Sequence, residues 1–189
     1  MQQDLFQTSR DDQPQDAGDS PELSVDELQR RIERRTDEHE LSLATVRLAR
    51  EVANHGSNLP PADQAALLVL VLASISQQRD GSTRLPLDSE LLGRHARRIT
   101  GLDDVDSLVE SFRRLTGEQR PPSVVGSPGS YVPLIVEDEA LYQQRTHHHE
   151  RQLADAIAAR LRMPAASRDA DTVTDALDDL FDHMPRLDG

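Results

Sequence analysis

The chain has 189 residues, 36 % of them hydrophobic and only 3 % aromatic, with a formal net charge of −13 at neutral pH. It contains neither Cys nor Lys, which excludes disulfides, thiolate metal sites and the lysine that a phosphate-binding P-loop requires. The charge is uneven: residues 1–40 carry 12 acids and 5 Arg, residues 165–189 carry 7 acids and 2 Arg, and the stretch between is nearly balanced. Acidic ends repel phosphates, so the chain is a poor autonomous nucleic-acid binder.

This length suits one domain with tails, its core built from Leu, Val, Ile and Ala. The apolar run 65–75 is too short to span a bilayer, and the acidic, polar start is unlike a secretory signal. No membrane partner and a cytoplasmic location are therefore expected. The organisation reads as an acidic leader (1–22), a helical domain (23–164), and a linker with a short amphipathic helix (165–189).

Along the chain, residues 1–21 are rich in Gln, Asp, Ser and Gly and read as disordered. Within them Gln2, Gln3, Asp4, Leu5 and Phe6 are similar to the short peptide by which bacterial repair proteins dock on the DNA sliding clamp. The simpler reading is an incidental Leu-Phe in a disordered start. Ser24-Val25-Asp26-Glu27 has capping-box form and opens a helix to about residue 37, with Leu28 and Ile32 on its inner face. Its Arg30, Arg31, Arg34 and Arg35 interleave with Glu27, Glu33, Asp37 and Glu38, which predicts a solvated, salt-linked face rather than a DNA-facing row.

A second helix is predicted over 43–54, with Val46, Ala49 and Val52 inward, ended by Gly56. Residues 62–78 are apolar nearly all round, the mark of a helix buried at the centre of a domain. Asp88 can cap a short helix over 89–98, and 103–115 makes another with Leu108, Val109 and Phe112 inward. The Pro/Gly/Ser stretch 118–130 reads as the internal segment most prone to disorder. Residues 133–144 read as a β-hairpin running into an amphipathic helix, where Leu153, Ile157 and Leu161 stand four apart. A last helix over 172–181 places Val173, Leu177, Leu180 and Phe181 on one stripe. The fold class is mainly α (α+β): a bundle of about six or seven helices with one small hairpin.

Candidate chemistry is sparse. His147-His148-His149-Glu150 invites a metal, but consecutive helical residues point about 100° apart and cannot converge on one ion. His147 is expected to make at most a surface pair with Glu150 or Arg151. The acids at Asp103/Asp104, Asp178/Asp179 and Glu137-Asp138-Glu139 lie where helix starts, exposed faces and turns attract acids anyway. Gly126-x-x-Gly129 is followed by no Lys, and no Ser sits in a nucleophile elbow. No catalytic residue, cofactor or metal is assigned.

Several phrases stand in a particular order: the small-residue turn Gly81-Ser82-Thr83 into Leu85-Pro86-Leu87 after the apolar helix; Pro133-Leu134-Ile135-Val136; Leu141-Tyr142 with Arg145; Glu150-Arg151 opening a helix; and Ala176-Leu177-Asp178-Asp179-Leu180-Phe181. Over roughly residues 41–182 this order resembles the N-terminal domain of the exodeoxyribonuclease V alpha subunit (RecD). The resemblance implies a non-catalytic domain that holds an ATP-driven 5′–3′ helicase motor against the gamma subunit (RecC) of the helicase–nuclease complex, serving double-strand-break repair and recombination. DNA is then met only through the complex. In the family the motor domain would begin at about Gly189, so none of its nucleotide-binding residues has a counterpart here and none is carried over, which leaves open a truncated reading frame, an excised domain or a stand-alone relative. The acidic leader and the long Pro/Gly loop depart from the family's pattern. An apolar patch including Leu141, Tyr142, Val173, Leu177, Leu180 and Phe181 is expected to bind the partner. The other expectation, an adaptor tethered to the sliding clamp, rests on Gln2, Asp4, Leu5 and Phe6.

Overall fold

A computed structural model describes residues 24–56, 58–163, 174–175 and 178–179. In chain order these form α1 (Val25–Glu33), α2 (Thr36–His39), α3 (Leu43–Asn54), α4 (Pro61–Arg79), β1 (Arg84–Pro86), α5 (Ser89–Thr100), α6 (Asp106–Thr116), β2 (Val125–Gly126), β3 (Leu134–Glu137), β4 (Ala140–Gln143) and α7 (Gln144–Arg162). The class is mainly α, with one small sheet, as the sequence predicts. The chain divides into two units, Met1–His147 and His148–Gly189. The division falls inside α7, whereas the sequence reading carries the domain on to residue 164. Past His147 no described side chain of α7 is buried, so nothing there extends the first unit's core.

Within the first unit, α4 is the centre. Pro61 sits at its first position, where a missing N–H costs nothing, and Asp63 lies in the first turn beside the positive end of the helix dipole. From Ala65 to Ala73 every residue is buried. No amphipathic stripe exists, so neighbours must cover all sides: α1, α3, α5, α6 and the strands β1 and β4. Gly81, with φ +89°, ends the helix by letting its N–H turn back to the Gln78 carbonyl at 3.1 Å.

The surrounding helices follow their sequence signals. Ser24 and Glu27 form the capping box on α1: Glu27 N–H donates to Ser24 Oγ at 3.3 Å, and Ser24 N–H to Glu27 Oε2 at 3.1 Å. The Ser24 hydrogen bonds, side-chain first and then backbone, hold the Glu27 carboxyl below its ordinary pKa. Ser42 caps α3 and Asp88 caps α5 through the Leu91 N–H at 2.9 Å. The first helix differs from expectation by breaking into α1 and α2, the break falling at Arg34 and Arg35. Arg31 is not part of a purely solvated face: it donates from Nε to the Thr100 carbonyl and from Nη2 to the Gly101 carbonyl, each at 2.7 Å. It thereby satisfies the open C-terminal end of α5.

The sheet has the order β1–β4–β3–β2. The predicted hairpin is present as β3 and β4, with Ile135 opposite Tyr142 and Val136 opposite Leu141. Two strands are added to it. β1 pairs antiparallel to β4, placing Leu85 opposite Leu141, and β2 runs parallel to β3. Strand β2 corrects the expectation for 118–130: Val124 and Val125 are buried, Val124 accepts from the Leu134 N–H at 2.9 Å, and Arg120 donates to the Thr116 carbonyl at 2.7 Å and to Ser127 Oγ at 3.1 Å. Two adjacent valines supply apolar burial that the Pro/Gly content conceals.

The hairpin turns on Asp138 (φ 48°) and Glu139 (φ 55°), both left-handed, which matches the right-handed twist of the strands. Left-handed backbone costs a residue with a Cβ about 1 kcal/mol, and Asn-Gly is the pair that tolerates it best. The double substitution Asp138→Asn with Glu139→Gly is expected to raise stability by about 1 kcal/mol, read as a higher urea midpoint at unchanged slope.

Candidate functional site

The strand residues of the hairpin alternate between two faces. Leu134, Val136 and Leu141 join the main core around α4, while Ile135, Ala140 and Tyr142 form a small second cluster with Val132. The first turn of α7 belongs to that second face. His147 is buried there, its Nε2 2.7 Å from Glu137 Oε2, and its ring meets Tyr142 edge-on with centroids 5.3 Å apart. Thr146 accepts from Gln78 Nε2 at 3.1 Å, fastening the same turn to the end of α4.

This corrects the reading of His147 as a surface pair with Glu150 or Arg151. The hairpin's return from Glu137 to Gln143 brings a carboxylate ten residues back onto the imidazole, a contact that helical spacing cannot reveal. His148 and His149 are exposed. Among the described residues no group of three His, Asp or Glu side chains is placed to hold a metal ion.

Leu141 and Tyr142, the sequence's docking candidates in the hairpin, are buried. Leu141 lies against the main core and Tyr142 against His147, so they hold the sheet together and present no patch to a partner. Val173, Leu177, Leu180 and Phe181 lie outside the described residues, as do Gln2, Asp4, Leu5 and Phe6. The large apolar side chains that are exposed are Leu43 and Leu48 on α3, Tyr131 before β3, and Leu153, Ile157, Leu161 and Met163 at the end of the described chain. The sequence places Leu153, Ile157 and Leu161 on one helix face and leaves open what covers it.

Two depressions mark the surface of the first unit. One, of about 540 Å³, runs between α5 and α6 and is lined by Ser89, Gly93, Arg97, Val109, Glu110 and Arg113. Its polar groups are already engaged: Arg113 donates to Ser89 Oγ at 2.6 Å and Arg97 to the Asp103 carbonyl at 3.3 Å. The other, of about 690 Å³, is lined by Asp88, Arg120, Glu137, Asp138 and Glu139 among others, a rim of carboxylates without a hydroxyl–imidazole pair. An ion pair between buried Asp63 and half-exposed Arg114, Nη2 to Oδ1 at 2.6 Å, ties α6 to the start of α4. It fastens helices together rather than lining either depression.

No family model, curated protein or solved structure matches this chain.

His95 on α5 gives the unit a pH dependence. It is buried with Nδ1 unpartnered, and burial first, then the Arg98 charge, push its pKa below the usual 6.5. The folded state therefore refuses a proton that the unfolded state accepts, so stability is full above about pH 6.5 and falls as pH drops through that value. Urea midpoints measured from pH 7.5 down to 5 should decline, and His95→Leu should flatten the decline while leaving its upper limb level.

Proposed function

We propose that this chain is a non-catalytic docking domain of a RecD-like subunit, acting in the cytoplasm within an exodeoxyribonuclease V-type complex in double-strand-break repair. Its partner is a RecC-type gamma subunit, and DNA is reached only through the complex. The observation that supports this reading most is where the resembling phrases meet. The segment around Leu85 and Pro86 and the segment around Leu141 and Tyr142, more than fifty residues apart, are neighbouring strands, and the apolar helix that precedes the first is the core they cover. Phrases that pair in one sheet are one structural unit, and their order is then a property of a fold rather than a set of separate coincidences.

The electrostatics agree with a role in protein docking. Several arginines of the first unit are spent on carbonyls and carboxylates: Arg31 on the end of α5, Arg114 on Asp63, Arg120 on the end of α6, Arg50 on Asp26, and Arg79 on the Glu40 carbonyl. With a net charge of −13 the whole chain gains no general attraction to phosphates.

The purified chain is expected to co-elute with a RecC-type gamma subunit at low micromolar concentrations and to hydrolyse no ATP. Removing residues 1–10 should leave that complex intact. Retention of the chain by the sliding clamp, lost on that same deletion and unaccompanied by gamma-subunit binding, would favour the adaptor reading instead.

A further inference from the structure

Leu153, Ile157 and Leu161 are 62, 51 and 80 % exposed, although they form the apolar face of α7. Positions four apart advance by about 40° beyond one turn, so the three make a continuous stripe about 12 Å long. Helical geometry sets Arg160 beside the stripe and Glu150 in line with it just before Leu153, while Arg151, Asp155 and Arg162 fall on the far side. Residues 151–162 hold three arginines and one aspartate, a net charge of +2. An exposed apolar stripe on a helix of net positive charge fits an amphipathic helix that is apolar on one face and acidic elsewhere.

The same unit of the chain carries such a sequence. Between Asp171 and Asp182 stand five aspartates and no basic residue, a net charge of −5. Thr174, Asp175, Asp178 and Asp179 have helical backbone and are exposed. A helix over 172–181, as the sequence predicts, would set Val173, Leu177, Leu180 and Phe181 on the face away from Asp175, its ends eight positions apart as Leu153 and Leu161 are. Pro164 follows the end of α7 closely, and the nine residues 163–171 reach up to about 30 Å, ample for a chain reversal between helices packed about 10 Å apart.

We propose that the acidic segment 172–181 is the occupant of the α7 face, lying antiparallel to it so that Val173 meets Leu161 and Phe181 meets Leu153. A second copy of the chain offers the same segment, but only at its bulk concentration. The nine-residue tether supplies it at an effective concentration in the millimolar range. The net positive charge of α7 favours the acidic helix, and the matched stripes set its register. This assignment concerns a contact within the chain and takes Val173, Leu177, Leu180 and Phe181 from the partner-binding patch expected of the sequence.

The absence of cysteine makes the test direct, because introduced thiols have no competitors. Two matched pairs, Leu161→Cys with Val173→Cys and Leu153→Cys with Phe181→Cys, are oxidised in the full chain beside a mismatched pair, Leu153→Cys with Val173→Cys. Non-reducing electrophoresis and mass spectrometry then distinguish links within and between chains. Both matched pairs are expected to close within the chain at least tenfold faster than the mismatched pair, and added salt should narrow the gap. Links only between chains would assign the face to a second copy and overturn the proposal. Equal rates for matched and mismatched pairs, or no link in any pair, would overturn it as well. Thermal melting of the same samples, expected to be unchanged, checks that the first unit remains folded.

Discussion

A nineteen-residue helix with no polar stripe cannot rest on a surface, and α4 imposes that constraint on the rest of the first unit. Each buried Leu or Val of the run 67–72 is worth about 1.5–3 kcal/mol when removed from water, but only if every side of the helix is covered. One layer of helices cannot do that. α1 and α3 cover part of the cylinder, α5 and α6 another part, and the sheet reaches the helix through β1 and β4. Asp63 is matched by Arg114 and Ser74 by the Val71 carbonyl at 2.8 Å, while His95 Nδ1 is left without a partner.

Arginine is the only cationic side chain besides histidine, and its planar fork suits it to closing the ends of this assembly. Helix C-termini leave carbonyls without partners, and Arg31 and Arg120 take up those of α5 and α6. Gly101 makes the first of these possible. Its φ is +65°, and a Cβ there would stand 2.4 Å from the Arg35 guanidinium carbon, so the αL end of α5 is shaped to the arginine that lies between α1 and α2. Side chains committed to backbone carbonyls in this way are not available to bind phosphate.

Most of the helical frame was legible in the sequence because it depends on local signals. The capping box at Ser24, the cap at Asp88, the proline start of α4 and the apolar faces of α3 and α6 each need only neighbours a few residues away. The hairpin was legible for the same reason. What escaped depends on distance along the chain. β1 and β2 are three and two residues long and acquire their strand character from partners, β1 from β4 across more than fifty residues. The burial of His147, Leu141 and Tyr142 follows from the two-sided covering of the hairpin, which a one-sided reading of its alternation does not anticipate. For Leu153, Ile157 and Leu161 the pattern was legible and any covering was not, since periodicity reports a face and says nothing of what lies against it.

Native-state hydrogen exchange on the full chain tests the central claim most directly, namely that enclosure of α4 holds the first unit together. Amides of 67–73 and those of β4 are expected to exchange only through global unfolding, with a common free energy and a common denaturant dependence. Exchange of the α4 amides through smaller openings, while β4 stays protected, would contradict it.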